Sequence, residues 1–264
     1  MKPARLLLAS TFATTCAMTC ATMGACAALP TGSSGNDADA FAHKMEAFVN
    51  KSAWDASTGA VRFKFREKRE HIWDKQRGLL VYKTGDTEAD LDLRDRGGFA
   101  FKNGVEVTGD DAKKLLDDAW SAYCNDTFWL NPIVKLFDPG TKRELVTIDG
   151  KRGLKVTYES GGVTPGDSYV WFADDDGKPT SVRMWVSVIP IKGIEFPWEG
   201  WQTLSTGAKV SLTHGAKGPS LSDATGAVDA KALGVDDMFA KLVARRGSPA
   251  SAASPALPAS PAHH

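Results

Sequence analysis

Tyr169-Val170-Trp171-Phe172 and Val182-Arg183-Met184-Trp185-Val186-Ser187-Val188-Ile189-Pro190-Ile191 decide the reading of this chain. In both runs large apolar side chains stand at odd and even positions alike: Val170 and Phe172 against Tyr169 and Trp171, Met184 and Val186 against Trp185. Successive strand residues point to opposite faces, so a half-buried strand alternates apolar with polar, whereas these strands must bury two surfaces. A curved sheet does this when packing covers its outer face and its inner face wraps a helix or a ligand. The runs therefore point to a container rather than to a catalyst.

Working outward, Val61, Phe63 and Phe65 alternate with Arg62, Lys64 and Arg66, a strand buried on one side and wet on the other. Further strands are predicted at His71 to Asp74, Leu79 to Lys83, Ala89 to Arg94, Gly98 to Phe101, Arg143 to Ile148 and Leu154 to Glu159. Others follow at Ser168 to Ala173, Thr180 to Val188 and Trp201 to Thr213, the last interrupted by Gly207. Asn103-Gly104, Asp149-Gly150 and Asp176-Gly177 lie between such runs, and these pairs suit the type I′ turn, whose two central residues need positive φ. Such turns imply an antiparallel meander, since parallel winding would place a helix between successive strands.

Two amphipathic helices are expected to dock on that sheet. Ala38, Phe41, Ala42, Met45, Phe48 and Val49 form one apolar stripe. Ala112, Leu115, Leu116, Ala119, Trp120 and Tyr123 form another over Asp110 to Cys124, with Thr108 and Asp111 as a weak capping box. The segment after it, Phe128 to Phe137, is too apolar for an exposed connection and reads as a short helix or a lid against the sheet. A last short helix over Val235 to Arg246 would turn Met238, Phe239, Leu242 and Val243 inward.

Lys2 and Arg5 followed by the uncharged stretch Leu6 to Met23 read as a secretory signal, so residues 1–25 are expected to be removed on export. Met23-Gly24-Ala25-Cys26 resembles a lipobox with Met where Leu is usual; ordinary cleavage near Ala25 or Ala27 is the alternative. On the first reading Cys26 carries a lipid anchor, residues 26–37 are a flexible tether, and the protein sits in the periplasm or at the outer membrane. Residues 38–246 read as one domain, and the Ser/Pro/Ala-rich residues 247–264 as a disordered tail. Cys16 and Cys20 would leave with the signal, so only Cys26 and Cys124 persist and no disulfide framework exists. Loss of Lys2 and Arg5 leaves 32 acidic residues facing 30 basic ones, with no clustered basic surface for nucleic acid.

Motifs for reactions are missing: there is no serine elbow, phosphate loop, dinucleotide fingerprint, zinc helix or calcium loop. His43, His71 and His214 have no ligand spacing and His263 and His264 end the tail, so no metal site and no cofactor is expected. The loop from Gly161 to Asp167 reads as structural, because no helix follows to assist anion binding. Asp167, Arg183, Glu195 and Glu199 are the residues that could meet at a rim and support hydrolysis. The tryptophans carry more weight. Trp171, Trp185, Trp198 and Trp201 fall within a short span with Phe172, and with Trp129 they are the candidate wall of a site for an apolar small molecule or acyl chain; a plain core is the competing reading.

A signal or lipobox, an early amphipathic helix, a long meander and a helical insertion together resemble the LolA, LolB and LppX-like group of periplasmic lipoprotein and lipid carriers. Phe128-Trp129-Leu130, Gly162 to Tyr169 and Met184-Trp185-Val186 also look like segments of exported bacterial proteins without assigned function. The resemblance is architectural and implies a mainly β (α+β) fold: a curved antiparallel sheet or half-open β-barrel, with helices covering the concave face. It implies a non-enzymatic protein that binds a hydrophobic ligand, with Ala38 to Val49 and Phe128 to Phe137 moving to admit it. An envelope scaffold with a filled barrel and a rim-carboxylate hydrolase are the alternatives. Oligomeric state is not readable from the sequence.

Overall fold

The alternation at Val61, Phe63 and Phe65 becomes strand β1 (Ala60–Phe65), which opens a run of antiparallel neighbours. These are β2 (Arg69–Asp74), β3 (Leu79–Thr84), β4 (Thr87–Asp92), β5 (Gly98–Lys102) and β6 (Val105–Val107). The structure is a computed structural model that describes residues 27–160 and 164–247. Ahead of β1 stand helices α1 (Asn36–Phe48) and α2 (Lys51–Ala56). After β6 comes the long helix α3 (Gly109–Leu130), then a 3-10 turn at Pro132–Lys135. A second meander follows: β7 (Thr141–Ile148), β8 (Lys151–Tyr158), β9 (Ser168–Ala173), β10 (Pro179–Trp185) and β11 (Ile194–Pro197). The hairpin β12 (Glu199–Thr203) and β13 (Lys209–Thr213) leads to β14 (Leu221–Ala227), which returns to pair with β1.

The sheets join into one curved surface. Only Trp198 separates β11 from β12; its N–H donates to the Thr180 carbonyl at 2.8 Å, so one strand pairs first with β10 and then with β13. A bridge between Thr213 and Ser220 ties β13 to the start of β14. No closed barrel forms among the described residues: β6 and β7 are the two terminal strands, and α3 packs against β4, β5 and β13. The fold is mainly β, an open half-barrel whose concave face holds helices.

Both faces are buried, as the sequence requires. The concave core contains Val61, Phe63, Leu80, Leu154, Trp171, Val182 and Met184, together with Ala42 and Met45 of α1 and Leu116 and Leu130 of α3. The opposite parity forms two convex patches. Over β1 to β3, Ile72, Leu79 and Val81 are covered by Phe239 and Leu242 from a 3-10 turn at Asp236–Phe239 and helix α4 (Ala240–Arg246). At about 1.5–3 kcal/mol for each large side chain removed from water, these two residues suffice to hold so short a helix. Charge fixes its position: the buried Asp92 carboxylate accepts from Arg246 at 2.6 and 2.7 Å and from Arg94. Burial alone would raise this carboxyl, but the hydrogen bonds from Arg246 and Arg94 outweigh it and hold Asp92 well below the usual carboxylate range.

The second convex patch is Val146, Val170, Phe172 and Trp185. Residues 27–33 run along it, and this differs from the expected tether. Lys155 Nζ donates to the Pro30 carbonyl at 2.9 Å, and Ser33 and Leu145 exchange backbone hydrogen bonds at 3.0 and 2.8 Å. Gly32 allows this approach, since a Cβ there would lie 2.3 Å from the Leu145 oxygen. The segment is held because it satisfies sheet-edge groups of β7, and helix α1 begins at Asn36, within the stretch expected to be flexible. Residues 1–26, with Cys26, and 248–264 lie outside the described residues.

Local departures from the sequence reading have physical causes. Asn103-Gly104 and Asp149-Gly150 have positive φ at both positions, as type I′ turns need. At Asp176-Gly177 only the glycine does, because the Asp174 carboxylate accepts the amides of Asp176 and Lys178 and shapes a longer turn. Helix α3 continues past Cys124 to Leu130, since Trp129 and Leu130 extend its buried stripe. The expected capping box is absent: the Thr108 side chain makes no cap hydrogen bond.

Candidate functional site

Phe128 and Trp129, in the last turn of α3, bring the tryptophans together. The Trp129 ring stacks on Trp198 at 5.4 Å and 16°, Trp198 meets Trp171 edge-on at 4.9 Å, and Phe128 lies 4.6 Å from Tyr169. His214 abuts Trp198 at 4.1 Å, and its Nδ1–H donates to the Pro219 carbonyl at 2.8 Å. Burial pushes its imidazole down to about 4, so it is neutral. Trp171 and Trp198 are wholly buried and share one core with the buried Met45, Leu130, Ile133 and Leu136. The centre of the half-barrel is therefore packed with side chains, where the sequence reading expected a hollow.

The hollow is displaced to one end of the sheet. A cavity of about 440 Å³ opens between the C-terminal turns of α3, the following 3-10 turn and the ends of β8, β9 and β10. That is within the range of about 300–1,000 Å³ typical of small-molecule sites. Phe128, Trp129, Tyr169, Met184, Val186 and Ile189 supply its apolar wall, and Thr127, Lys135, Asp138 and Asp167 its polar fringe. Burial raises the Asp138 carboxyl, Lys135 stands 4.0 Å from it, and Asp167 Oδ1 accepts the Ser187 N–H at 2.8 Å. Cys124 also lines the cavity; burial lifts its thiol to about 11, so it is protonated and a poor nucleophile.

Of the six candidate wall residues, Trp129 lines this cavity and Trp171 and Trp198 stand behind it in the core. Phe172 and Trp185 belong to the convex patch. Trp185 Nε1 donates to the Ala27 carbonyl at 2.7 Å, and Phe172 borders a separate groove of about 560 Å³ with Lys44, Lys151, Arg152, Asp174 and Asp175, whose charge suits no apolar ligand. Trp201 packs edge-on against Phe48 at 5.1 Å. The sequence reading missed Tyr169, Met184, Val186 and Ile189 as wall residues. For Met184 and Val186 the signal is parity, since they share a face with Val182, which pairs with Trp171, whereas Trp185 faces away; Ile189 lies in the loop after β10, where strand parity does not apply.

Of the four rim residues only Arg183 and Glu195 are joined to each other. Arg183 binds Glu195 and Asp149, each at 2.8 Å, Asp167 binds the Ser187 amide, and Glu199 lies on β12 opposite Thr213. His43 stacks on Phe137, whereas His71 is buried and bonded to Asp126 at 2.7 Å. No group of His, Cys, Asp and Glu able to hold a metal occurs among the described residues. No described helix is long and apolar enough to cross a membrane.

No family model matches the chain, and no curated protein matches it. Among solved structures, the fold is similar to the crystal structure of a DUF1329 family protein from Desulfovibrio piger. The TM-score is 0.40 at 9% identity, over 80% of this chain and 99% of that one.

Proposed function

We propose that this is an exported, lipid-anchored, non-enzymatic protein that binds a hydrophobic ligand or acyl chain in the cavity at the end of the half-barrel. The observation that carries the reading is the 440 Å³ cavity, with its aromatic and aliphatic wall and polar fringe. A carrier needs such a space and no reacting groups, and the architecture agrees with what the resemblance to LolA-like carriers implies. Native mass spectrometry of gently purified protein tests it: a co-purifying apolar molecule is expected. Thr127→Trp, which lays an indole across the cavity from the half-buried side of α3, should release it. Preparations that never carry such a molecule, or a variant that retains it fully, would count against the reading.

A second reading, a scaffold that contacts partner proteins, is favoured by the packed centre around Trp171 and Trp198. Identification of a stable protein partner by a protein whose cavity takes up no apolar dye would select it.

A further inference from the structure

The loop between β10 and β11 is the rim of this cavity: Val186, Val188 and Ile189 line it. The loop's tip, Val188-Ile189-Pro190-Ile191, carries no charge, and Val188 and Ile191 are 73% and 57% exposed. Large apolar side chains this exposed are few among the described residues, so two of them within four positions at a cavity mouth make a patch and not scatter. Its backbone is held. The Lys192 ammonium turns back onto the Val186 and Ile189 carbonyls, the Ser187 amide is held by Asp167, and the Gly193 N–H donates to the Met184 carbonyl at 2.8 Å. A held, uncharged, protruding tip leaves its side chains for something apolar.

What covers it follows from where the chain enters. The Ala27 N–H donates to the Lys192 carbonyl at 3.4 Å, its carbonyl takes the Trp185 indole, and a Cβ on Gly193 would meet the Ala27 side chain at 2.7 Å. Leu29, two residues on, is 44% exposed. Cys26, the acylation candidate, precedes Ala27, and consecutive Cα atoms are about 3.8 Å apart. On the lipid-anchored reading, the anchor is joined to the fold through Ala27, whose backbone is held beside this tip.

We infer that the Val188–Ile191 tip, next to Ala27, seats on a lipid bilayer and turns the cavity mouth toward it. The choice of a bilayer rests on the lipid-anchored reading of Cys26 together with the exposed tip and the position of Ala27, and its use for loading rests on the ligand-binding reading. An apolar passenger would then pass between membrane and cavity without crossing water, and the anchor and tip would fix the same orientation.

The test uses the chain from Ala27 onward, which contains every described strand and helix and lacks any acyl group. It is sedimented with vesicles of equal parts phosphatidylethanolamine and phosphatidylglycerol. Ile191 is outside the cavity wall and exposed, so Ile191→Asp should fold normally and raise the lipid concentration for half-binding by about tenfold or more, whereas Ile191→Leu should bind as the parent does. Equal binding by Ile191→Asp and the parent, no vesicle binding by the parent, or a dimer that Ile191→Asp dissociates would overturn the proposal. N-phenyl-naphthylamine uptake in the same proteins separates the two readings. Uptake unchanged by Ile191→Asp while vesicle binding falls supports docking through the tip; absent uptake with retained vesicle binding sinks the cavity reading and leaves docking standing.

Discussion

Trp185 donates its indole N–H to the carbonyl of Ala27 across the convex face of the second meander, at 2.7 Å. This contact clasps the first described residues to β10 and uses the polar edge of a ring whose body completes the patch with Val146, Val170 and Phe172. A residue that the sequence assigned to a ligand wall is thus a fastening for the chain's entry.

Trp185→Phe should keep the patch and lose the clasp, at about 0.5–1.5 kcal/mol. Hydrogen exchange should quicken at Ala27 to Ser33, with amides of α3 unchanged. Uniform exchange across both regions would show that Trp185 supports the sheet as a whole.

Asp126, wholly buried in α3, takes two hydrogen bonds from Arg69 at 2.8 and 2.6 Å and one from His71 at 2.7 Å, pinning the helix to β2. Asp126→Ala leaves the buried His71 without this partner while Arg69, a third exposed, turns to water, and should cost about 1.5–3 kcal/mol in urea denaturation. A loss below about 1 kcal/mol, the range of an exposed ion pair, would mean that water reaches this site.

His214 ties stability to pH. In the unfolded chain its imidazole takes a proton below about 6.5, whereas in the folded protein burial delays protonation to about 4. Between these values the unfolded state binds the extra proton, so stability falls as pH drops through that window, by about 3 kcal/mol for the full shift. His214→Gln should flatten this part of the pH profile of unfolding. A variant whose slope between pH 6.5 and 4 matches the parent would exclude His214 as its source. His71, lowered chiefly by burial, acts in the same direction, while Asp90, raised to about 7 chiefly by burial, opposes it; the difference between variant and parent isolates His214.

The amino-acid sequence by itself determined that strands dominate, that they follow one another antiparallel, and that both faces are covered. Residue chemistry and spacing carry those facts: apolar residues at both parities from Leu79 to Val81 and from Val170 to Phe172, positive-φ pairs at Asn103-Gly104 and Asp149-Gly150, and single apolar stripes on α1 and α3. Only the tertiary structure decided which parity faces inward. Trp171 and Trp185 are equally apolar, yet sheet curvature and strand register send one to the core and the other to Ala27. The same holds for the cavity, which lies where α3 ends and the β10–β11 loop turns back, because an empty space is set by how distant elements fail to meet and leaves no pattern along the chain.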